Sequence, residues 1–232
     1  MTRPRRTMIA SAVILIFMTT VSAEAQNAET NRVKSALEVF QAMVTVPEYQ
    51  VPAALMRNAS GIAILPGVRR VGFVIGGMQG KGVLLVREKD GGWSRPLFIT
   101  ITGASVGWQI GIQSSDIILF FRTPESVERV LRGKYTVGVD ASVAAGSLGR
   151  DAAAVTDRDL TAEIYSYSRA RGIFAGLAVQ GAAVDIHYDA NAAYYRKEIT
   201  RPSDILDGSD LPDPDTAKQL RQGIVRYEKS VK

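Results

Sequence analysis

Glycine is concentrated in one block of the chain that otherwise has the composition of β-strands. Nineteen of the 21 glycines lie between Gly61 and Gly181, among β-branched and aromatic residues, as in 72–77, 80–86 and 107–111. Glycine costs conformational entropy inside a strand, so its repetition there indicates bulges, tight bends or closely approaching backbones. We therefore expect a strongly bent sheet, with function located on a surface or pocket that this sheet builds.

The first 25 residues have the features of a secretory signal peptide. Three arginines within the first six residues precede an uncharged apolar run over 8–20, and Ala23 and Ala25 offer small side chains for cleavage. The run is shorter than the roughly 20 apolar residues of a transmembrane helix, although a retained anchor remains an alternative. We expect residues 1–25 to be removed, leaving a periplasmic or secreted protein, with peripheral attachment to the outer membrane as an option.

Most of the excess positive charge lies in that segment. Removal of residues 1–25 takes away three arginines and Glu24, so the net charge falls from +5 to +3. Such a small charge argues against a nucleic-acid footprint. The absence of cysteine excludes a disulfide framework, and with a single histidine it argues against zinc. The remaining residues, 26–232, suit one large domain.

Apolar periodicity predicts helices at both ends of the mature chain and strands between them. Helical spacing predicts an amphipathic helix over 30–46, while Pro52 opens a short helix and Thr123-Pro124 caps another. Later helices are predicted over 191–198 and 214–230. Strand patterns cover 62–65, 71–75, 82–87, 99–112, 117–121, 164–169, 173–179 and 184–188.

Strands without regular βαβ alternation predict an α+β fold. We expect an antiparallel twisted sheet that closes toward a barrel or sandwich and is flanked by N- and C-terminal helices. A change of apolar register predicts a bend or bulge near Gly103, while 77–82 and 90–92 predict turns between strands. An outer-membrane barrel is the rival interpretation, and the terminal amphipathic helices oppose it.

Groupings that could support catalysis or metal binding are sparse. The single histidine, His187, alternates with Asp185 and Asp189, where it could act as a general base, but a solvated strand face explains the same pattern. The glycine spacing fits neither a phosphate loop nor a nucleophile elbow. The aspartates of 207–215 suit the start of a helix, with calcium as a minor alternative. We predict no catalytic residue, no metal and no cofactor.

Basic side chains are the remaining candidates for a binding site. Clustered in space, they would attract anionic head groups at about 1 kcal/mol each, whereas scattered they would be ordinary solubilising charge. Arg69, Arg70 and Lys81 are predicted on glycine-flanked turns, where side chains are free to project. Lys34 on the first helix and Arg57 beside it complete the predicted lipid-binding residues.

The order of short motifs along the chain resembles the SYLF domain family, also called the actin-binding domain family after its yeast actin-patch member. Seven matching pieces lie in the family's order over about 35–208. They are 62–66, 72–76, 80–83, 92–96, 107–111, 165–168 with 172–176, and Asn191 with Tyr194-Tyr195.

That resemblance implies a phosphoinositide- and membrane-binding module, which in fungi also binds actin, while bacterial relatives carry export signals. With an export signal and no attached SH3 or zinc-finger domain, we expect an anionic phospholipid or membrane surface as partner rather than actin. The domain expectation is a signal peptide over 1–25, then one domain over 26–232 with its core at 35–208. An envelope structural or protein-interaction module is one alternative, and an envelope hydrolase using Asp185, His187 or the 207–215 carboxylates is another.

Overall fold

The computed structural model describes residues 5–45, 51–133, 135–146, 160–170, 173–176, 179, 181–208 and 210–230. For residues 5–23, 45, 71–76, 104–113, 170 and 173–176 it describes the backbone alone. Residues 46, 177 and 178 of the predicted elements lie outside the described residues. Within these ranges, no helix combines the length and the apolar character needed to cross a membrane.

The described strands form one sheet, antiparallel in all but one strand pair, and helices flank it at both ends of the chain, so the predicted α+β fold class is confirmed. The helices are α1 (Arg5–Thr45), α2 (Ala53–Asn58), α3 (Pro124–Leu131), α4 (Tyr188–Tyr195), α5 (Ser203–Leu206) and α6 (Asp215–Ser230). The strands are β1 (Gly61–Val86), β2 (Leu97–Phe121), β3 (Tyr135–Thr136), β4 (Val143–Ala145), β5 (Ile164–Ala170), β6 (Ile173–Gly176) and β7 (Ala183–Ile186).

The sheet is organised around β2. One edge of β2 pairs with β1 over nearly its whole length. The other edge pairs with β7 at Ile99–Thr102 and with β5 at Asp116–Phe121. β3 lies beyond β7, while β4 and β6 both pair with β5. The β4–β5 pair is parallel and the other described strand pairs are antiparallel.

The ribbon formed by β1 and β2 folds back on itself, so its two halves face each other. A Cβ atom on Gly82 would lie 2.8 Å from Leu65 Cα, and one on Gly80 would lie 2.6 Å from Val68 Cγ2. Both contacts join two distant parts of the same strand, β1. Backbones can approach this closely because glycine has no side chain. The expected closure toward a barrel or sandwich is therefore confirmed.

The bend begins at an irregularity in β1. Register shifts separate Leu65 from Val68 and Gly72 from Val74. Gly67 lies in the first shift with φ +62, a conformation that suits glycine. Asp116 Oδ1 accepts the Gly67 N–H at 2.9 Å, and Arg169 donates to Oδ2 of that carboxylate at 2.5 and 2.8 Å. This ion pair therefore supports the bulge.

Gly103 itself pairs in register with Met78, and a Cβ there would lie 3.0 Å from Ala182 Cα, so close approach explains this glycine. The irregularity of β2 lies farther along the strand, where Gly107 and Gly111 stand opposite the register shift between Gly72 and Val74. The expectation of a turn at 77–82 is wrong. The segment 77–82 pairs with β2 inside β1 and forms no turn. The strands predicted separately over 62–65, 71–75 and 82–87 are accordingly one strand. The turn at 90–92 is confirmed, with Gly91 at φ +86.

α1 packs against β1 and against both α4 and α6. The Phe40 and Tyr227 rings meet edge-to-face at 6.0 Å across α1 and α6. The predicted stripe of α6 is buried, namely Ala217, Leu220, Ile224 and Tyr227. α1 starts at Arg5, well before the predicted position 30, and α4 starts at Tyr188, three residues before the predicted start.

Asn191 connects α4 to the sheet through the two backbone hydrogen bonds that a neighbouring strand would make with Phe98. Its side-chain oxygen accepts the Phe98 N–H at 2.8 Å, and its side-chain nitrogen donates to the Phe98 carbonyl at 3.1 Å. The same nitrogen donates to the His187 carbonyl at 3.0 Å. Asn191 is fully buried, so these bonds satisfy an amide that would otherwise lower stability. This places His187 and the start of α4 against β2.

Candidate functional site

Three of the predicted binding residues lie on β1 rather than on turns. Arg69 pairs with Ser114, Arg70 with Gln113 and Lys81 with Thr100. The turn assignment is wrong because the paired backbone of β1 runs through all three positions. Arg69 and Lys81 are exposed, whereas Arg70 is half-buried. Burial lowers the pKa of the Arg70 guanidinium.

Arg69 and Lys81 project from opposite sides of the folded ribbon. Val68 and Gly80 face each other across its interior. Since side chains alternate between the two faces of a strand, the next residues, Arg69 and Lys81, point outward and away from each other. The structure therefore does not gather the predicted residues into one patch.

The other two predicted residues are on helices. Lys34 lies on the exposed side of α1, next to buried Val33 and one turn before exposed Glu38. Arg57 lies exposed in the last turn of α2, where a cation complements the helix dipole.

The five predicted residues share one property, which is that none forms an ion pair with a described residue. Lys89 and Lys197, among other described cations, share this property, whereas eight basic side chains in the described ranges do form such pairs. These pairs are Arg32–Glu29, Arg87–Glu228, Arg129–Glu163, Arg132–Glu128, Arg169–Asp116, Arg201–Asp204, Lys218–Asp215 and Arg221–Asp213. A cation without a local counter-charge keeps its full field for a ligand.

Lys81 borders a group of titratable side chains that come from distant parts of the chain. Lys81, Thr100 and Asp185 form a row across β1, β2 and β7. Glu29, a buried residue of α1, pairs with Arg32 one turn farther along the same helix, and both act on His187. The sequence pattern did not reveal this group, because its members become neighbours only when α1 packs on the sheet.

His187 is the centre of this group, and its pKa is lowered. Burial is the main cause, and the positive charge of Lys81 adds to it, partly opposed by Glu29. The His187 side chain is therefore neutral at pH 7. Its Nδ1 is buried without a hydrogen-bond partner, so no carboxylate orients the ring through that atom.

The described side chains do not assemble the features of a hydrolase. A general base normally needs a second group that holds its ring in position, and His187 has none at Nδ1. In the described part of the chain, no group of three or more histidine and acidic side chains could hold a metal ion. The geometry therefore gives the hydrolase alternative no support.

Arg87 and Arg95, two further basic residues of the N-terminal part, have structural partners. Arg87 donates to the carbonyls of Met56, Ala59 and Gly91. It also pairs with Glu228 at 2.5 Å and lies 4.1 Å above the Trp93 ring. Arg95 donates to the Gly208 carbonyl at 2.8 Å. Glu228 stands 141 positions after Arg87, so spacing along the chain could not reveal this partner.

Comparison with known proteins identifies the family. The profile described as "Ysc84: Las17-binding protein actin regulator" matches residues 102–227, which is more than half of the chain. This chain belongs to the Ysc84 (SYLF) family. The resemblance drawn from the short motifs is therefore confirmed.

Curated relatives share about a third of their residues with the aligned part of this Ysc84-family chain. LAS seventeen-binding protein 3 of Saccharomyces cerevisiae is 35% identical over 167 residues, covering 71% of this chain and 36% of that protein. SH3 domain-containing YSC84-like protein 1 of Homo sapiens is 34% identical over 175 residues, covering 75% and 50%. Protein YSC84 of Saccharomyces cerevisiae is 34% identical over 166 residues, covering 70% and 34%.

The chain thus spans about a third to a half of the length of these relatives. One name describes binding to LAS seventeen and another an SH3 domain, and none of the three names an enzyme.

Proposed function

We propose that this Ysc84-family chain is a non-enzymatic, exported protein that binds anionic phospholipid at the cell envelope. The supporting observation is that Arg69, Arg70, Lys81, Lys34 and Arg57 form no ion pair with any described residue. Each cation near a negatively charged membrane contributes about 1 kcal/mol of attraction. The long stems of arginine and lysine also let their charged ends reach head groups.

The Arg69 side of the ribbon is the stronger candidate for the membrane-facing surface. Arg69 stands opposite the uncharged Ser114. Lys81, in contrast, stands in a cross-strand row with Thr100 and Asp185, and it acts on His187 together with the carboxylates of Glu29 and Asp189. Nearby negative charge weakens attraction to an anionic surface. Because the two cations point away from each other, a flat bilayer meets only one of them at a time.

Liposome flotation tests the lipid-binding proposal. The unmodified chain should float with vesicles that contain an anionic phospholipid and should be released as salt rises, because exposed charges are screened. The triple variant R69E/R70E/K81E should lose this binding. A matched control, R132E/R201E/K218E, makes the same change in net charge at cations that already have acidic partners, and it should keep most of the binding.

Charge reversals at single residues then show which side of the ribbon meets the membrane. Arg69→Glu should weaken flotation more than Lys81→Glu if the Arg69 side meets the membrane, and the opposite order would place the contact at α1. Equal flotation with neutral and anionic vesicles at every salt concentration would reject electrostatic lipid binding. Survival of binding in the triple variant would show that these residues are not the site.

Export is a separate part of the proposal and rests on the pattern of residues 1–25. Mass spectrometry of the exported protein should find an N-terminus near Glu24 or Gln26. A membrane-embedded product that retains Met1 would instead make the apolar run an anchor.

A protein-interaction role is the second candidate, favoured by the family description as a Las17-binding actin regulator. Co-sedimentation with purified actin filaments tests it directly. Sedimentation with filaments in the absence of lipid, unchanged in R69E/R70E/K81E, would favour this role over membrane binding.

A further inference from the structure

The side chain of Gln26 in α1 is bound by an arginine from a distant part of the chain. Its Oε1 accepts hydrogen bonds from Nε and Nη2 of Arg196, at 2.8 and 2.6 Å. Arg196 stands 170 positions later in the sequence, so this contact joins α1 to the end of α4. Because both donors belong to one guanidinium, a full positive charge faces the carbonyl end of the Gln26 amide.

Arg196 is held toward α1 by the way in which α4 ends. Its backbone is left-handed, with φ 52 and ψ 36, and its N–H donates to the Ala192 carbonyl. This conformation is usual at helix ends but is ordinarily taken by glycine or asparagine. None of the ion pairs in the described part of the chain includes Arg196. No acidic partner in that part therefore draws the guanidinium away from Gln26.

The position of Gln26 in the sequence gives this contact a chemical meaning. Ala23 and Ala25 are spaced as signal peptidase requires, and cleavage after Ala25 makes Gln26 the first residue of the exported protein. An N-terminal glutamine carries an amine and a side-chain amide in the same residue. The amine can attack the amide and close a lactam ring, which converts glutamine to pyroglutamate.

Ring closure needs no other reactant. The amine nitrogen forms a bond to Cδ of the side chain, the bond from Cδ to Nε2 breaks, and Nε2 takes a proton from the amine and leaves as ammonia. Addition of the amine places negative charge on Oε1, the atom that Arg196 contacts. Donors that face a developing negative charge lower the barrier to such a step. Oε1 stays in the product as the lactam oxygen, so Arg196 can keep both hydrogen bonds.

The start of the shortened helix also favours the closed ring. With Gln26 first, its ammonium group would lie at a helix N-terminus, where the helix dipole disfavours positive charge. The same group would lie in the residue that the Arg196 guanidinium contacts, and like charges repel. Pyroglutamate carries no charge at this position. Gln26 is partly exposed and Ala25 is exposed, so water can reach the amide and ammonia can leave.

We propose that Gln26 of the exported protein is converted to pyroglutamate and that Arg196 promotes the conversion by stabilising the charge on Oε1. The modification rests on the export part of the proposed function, because it requires cleavage directly before Gln26. The product has no free amine at its N-terminus, so the first turn of α1 is protected from aminopeptidases.

Mass spectrometry of the exported protein is the first test. Trypsin releases the N-terminal peptide 26–32, since Arg32 is the first basic residue after Gln26, and its mass should be lower than that of the unmodified sequence by one ammonia. An unmodified Gln26 at the N-terminus would overturn the modification and leave export intact. An N-terminus at another residue would overturn the modification together with the cleavage site, and a product that retains Met1 would contradict export itself.

A second test does not depend on signal peptidase. A recognition sequence for a protease that cuts directly before Gln26 is inserted into the full chain, so that cleavage starts the reaction at a known time. Arg196→Met removes both donors and should slow lactam formation by roughly tenfold. This is less than the 10²–10³ of a water-excluded oxyanion site, because the Gln26 contact is exposed.

Two controls accompany this time course. Arg132→Met removes an exposed arginine at the end of α3 and should leave the rate unchanged. A synthetic peptide of residues 26–32 has the same N-terminus without Arg196 and should react as slowly as the Arg196→Met variant. Equal rates for the unmodified chain, the Arg196→Met variant and the peptide would overturn the role of Arg196, and the absence of lactam in the cleaved chain would overturn the modification.

Discussion

The surroundings of Arg87 and those of Tyr135 both bring together polar side chains from distant parts of the chain, but they differ in how many hydrogen bonds are made. Around Arg87, three backbone carbonyls, Glu228 and the Trp93 ring are all contacted, and Trp93 also donates to Glu228 at 3.2 Å. Beside α3, by contrast, the hydroxyl of Tyr135 in β3 and Oε2 of Glu163, just before β5, are buried without a hydrogen-bond partner among the described residues, and Oε2 has only the charge of Arg129 Nη1 at 3.7 Å. A complete network stabilises a fold, whereas an incomplete one lowers stability.

Arg87→Ala should produce the largest loss of stability. It would remove every contact of the guanidinium and leave Glu228 without its partner. Removing one member of a buried ion pair costs about 3–5 kcal/mol, and urea unfolding measures the loss. Arg132→Ala is the control, since its pair with Glu128 is largely exposed and should contribute less than about 1 kcal/mol. A small effect of Arg87→Ala would remove the contrast between the two regions.

Gly82→Ala tests whether the backbone at Gly82 is as closely surrounded as the folded-back ribbon requires. The added methyl group would lie 2.8 Å from Leu65 Cα, where the two halves of the ribbon touch. Overpacking of this kind costs about 1–3 kcal/mol. Gly77→Ala is a matched control in the same strand, because no atom of the described side chains lies within 4 Å of its added Cβ. Equal thermal stability of the two variants would contradict the folded-back ribbon.

Tyr135→Phe and Tyr227→Phe should differ in their effect on stability. Tyr227 loses a hydrogen bond to the Val51 carbonyl, which costs about 1 kcal/mol. Tyr135 loses a hydroxyl that has no partner, so its replacement should leave stability unchanged or raise it. Urea unfolding of both variants measures the difference. A loss in Tyr135→Phe equal to that in Tyr227→Phe would show that the Tyr135 hydroxyl is paired in solution.

Local signals in the sequence were sufficient to predict most of the helices. Thr123 caps α3 as predicted, accepting the Ser126 N–H at 3.2 Å, with proline at the first position. The stripe of α6 was equally readable, because apolar spacing is a property of a few neighbouring residues. Glycine was misread, since the same residue serves turns and close backbone approach. For Gly82, the residue that decides between them, Leu65, lies elsewhere in β1.

The residue types of the candidate site could be chosen from the sequence, but the directions in which the side chains point could not. The choice of Arg69 and Lys81 from their positive charge remains a prediction. Their opposite orientation depends on the contact between Val68 and Gly80, which follows from the fold rather than from spacing. The buried and unpaired ends of Tyr135 and Glu163 were not foreseen, because the two residues belong to different segments and match no motif. An unpaired buried atom is a feature that only a structure can show.

His187 combines a feature of each region, a well-paired backbone and an unpaired side-chain atom. Its effect on stability should be the smallest of these predictions. Its backbone is fully engaged with Phe98 and Asn191, but its Nδ1 is buried without a partner. Burial, followed by the charge of Lys81, lowers its pKa below the ordinary value of 6.5, while Glu29 and Asp189 act in the opposite direction and Arg32 adds to the lowering. Asp185 completes the charged groups around it on β7.

A lowered pKa means that the unfolded chain binds the proton more tightly than the folded protein. Stability should therefore fall as the pH drops through 6.5 toward the lower pKa of the folded state, and it should level off below that value. His187→Asn keeps a good residue at the start of α4 and removes the titration. Urea unfolding between pH 8 and pH 5, compared between this variant and the unmodified chain, isolates the contribution. Lys81→Gln should narrow the pH range of the loss, because it removes one charge that lowers the pKa. Parallel stability curves for His187→Asn and the unmodified chain would show that His187 is already exposed to water in solution.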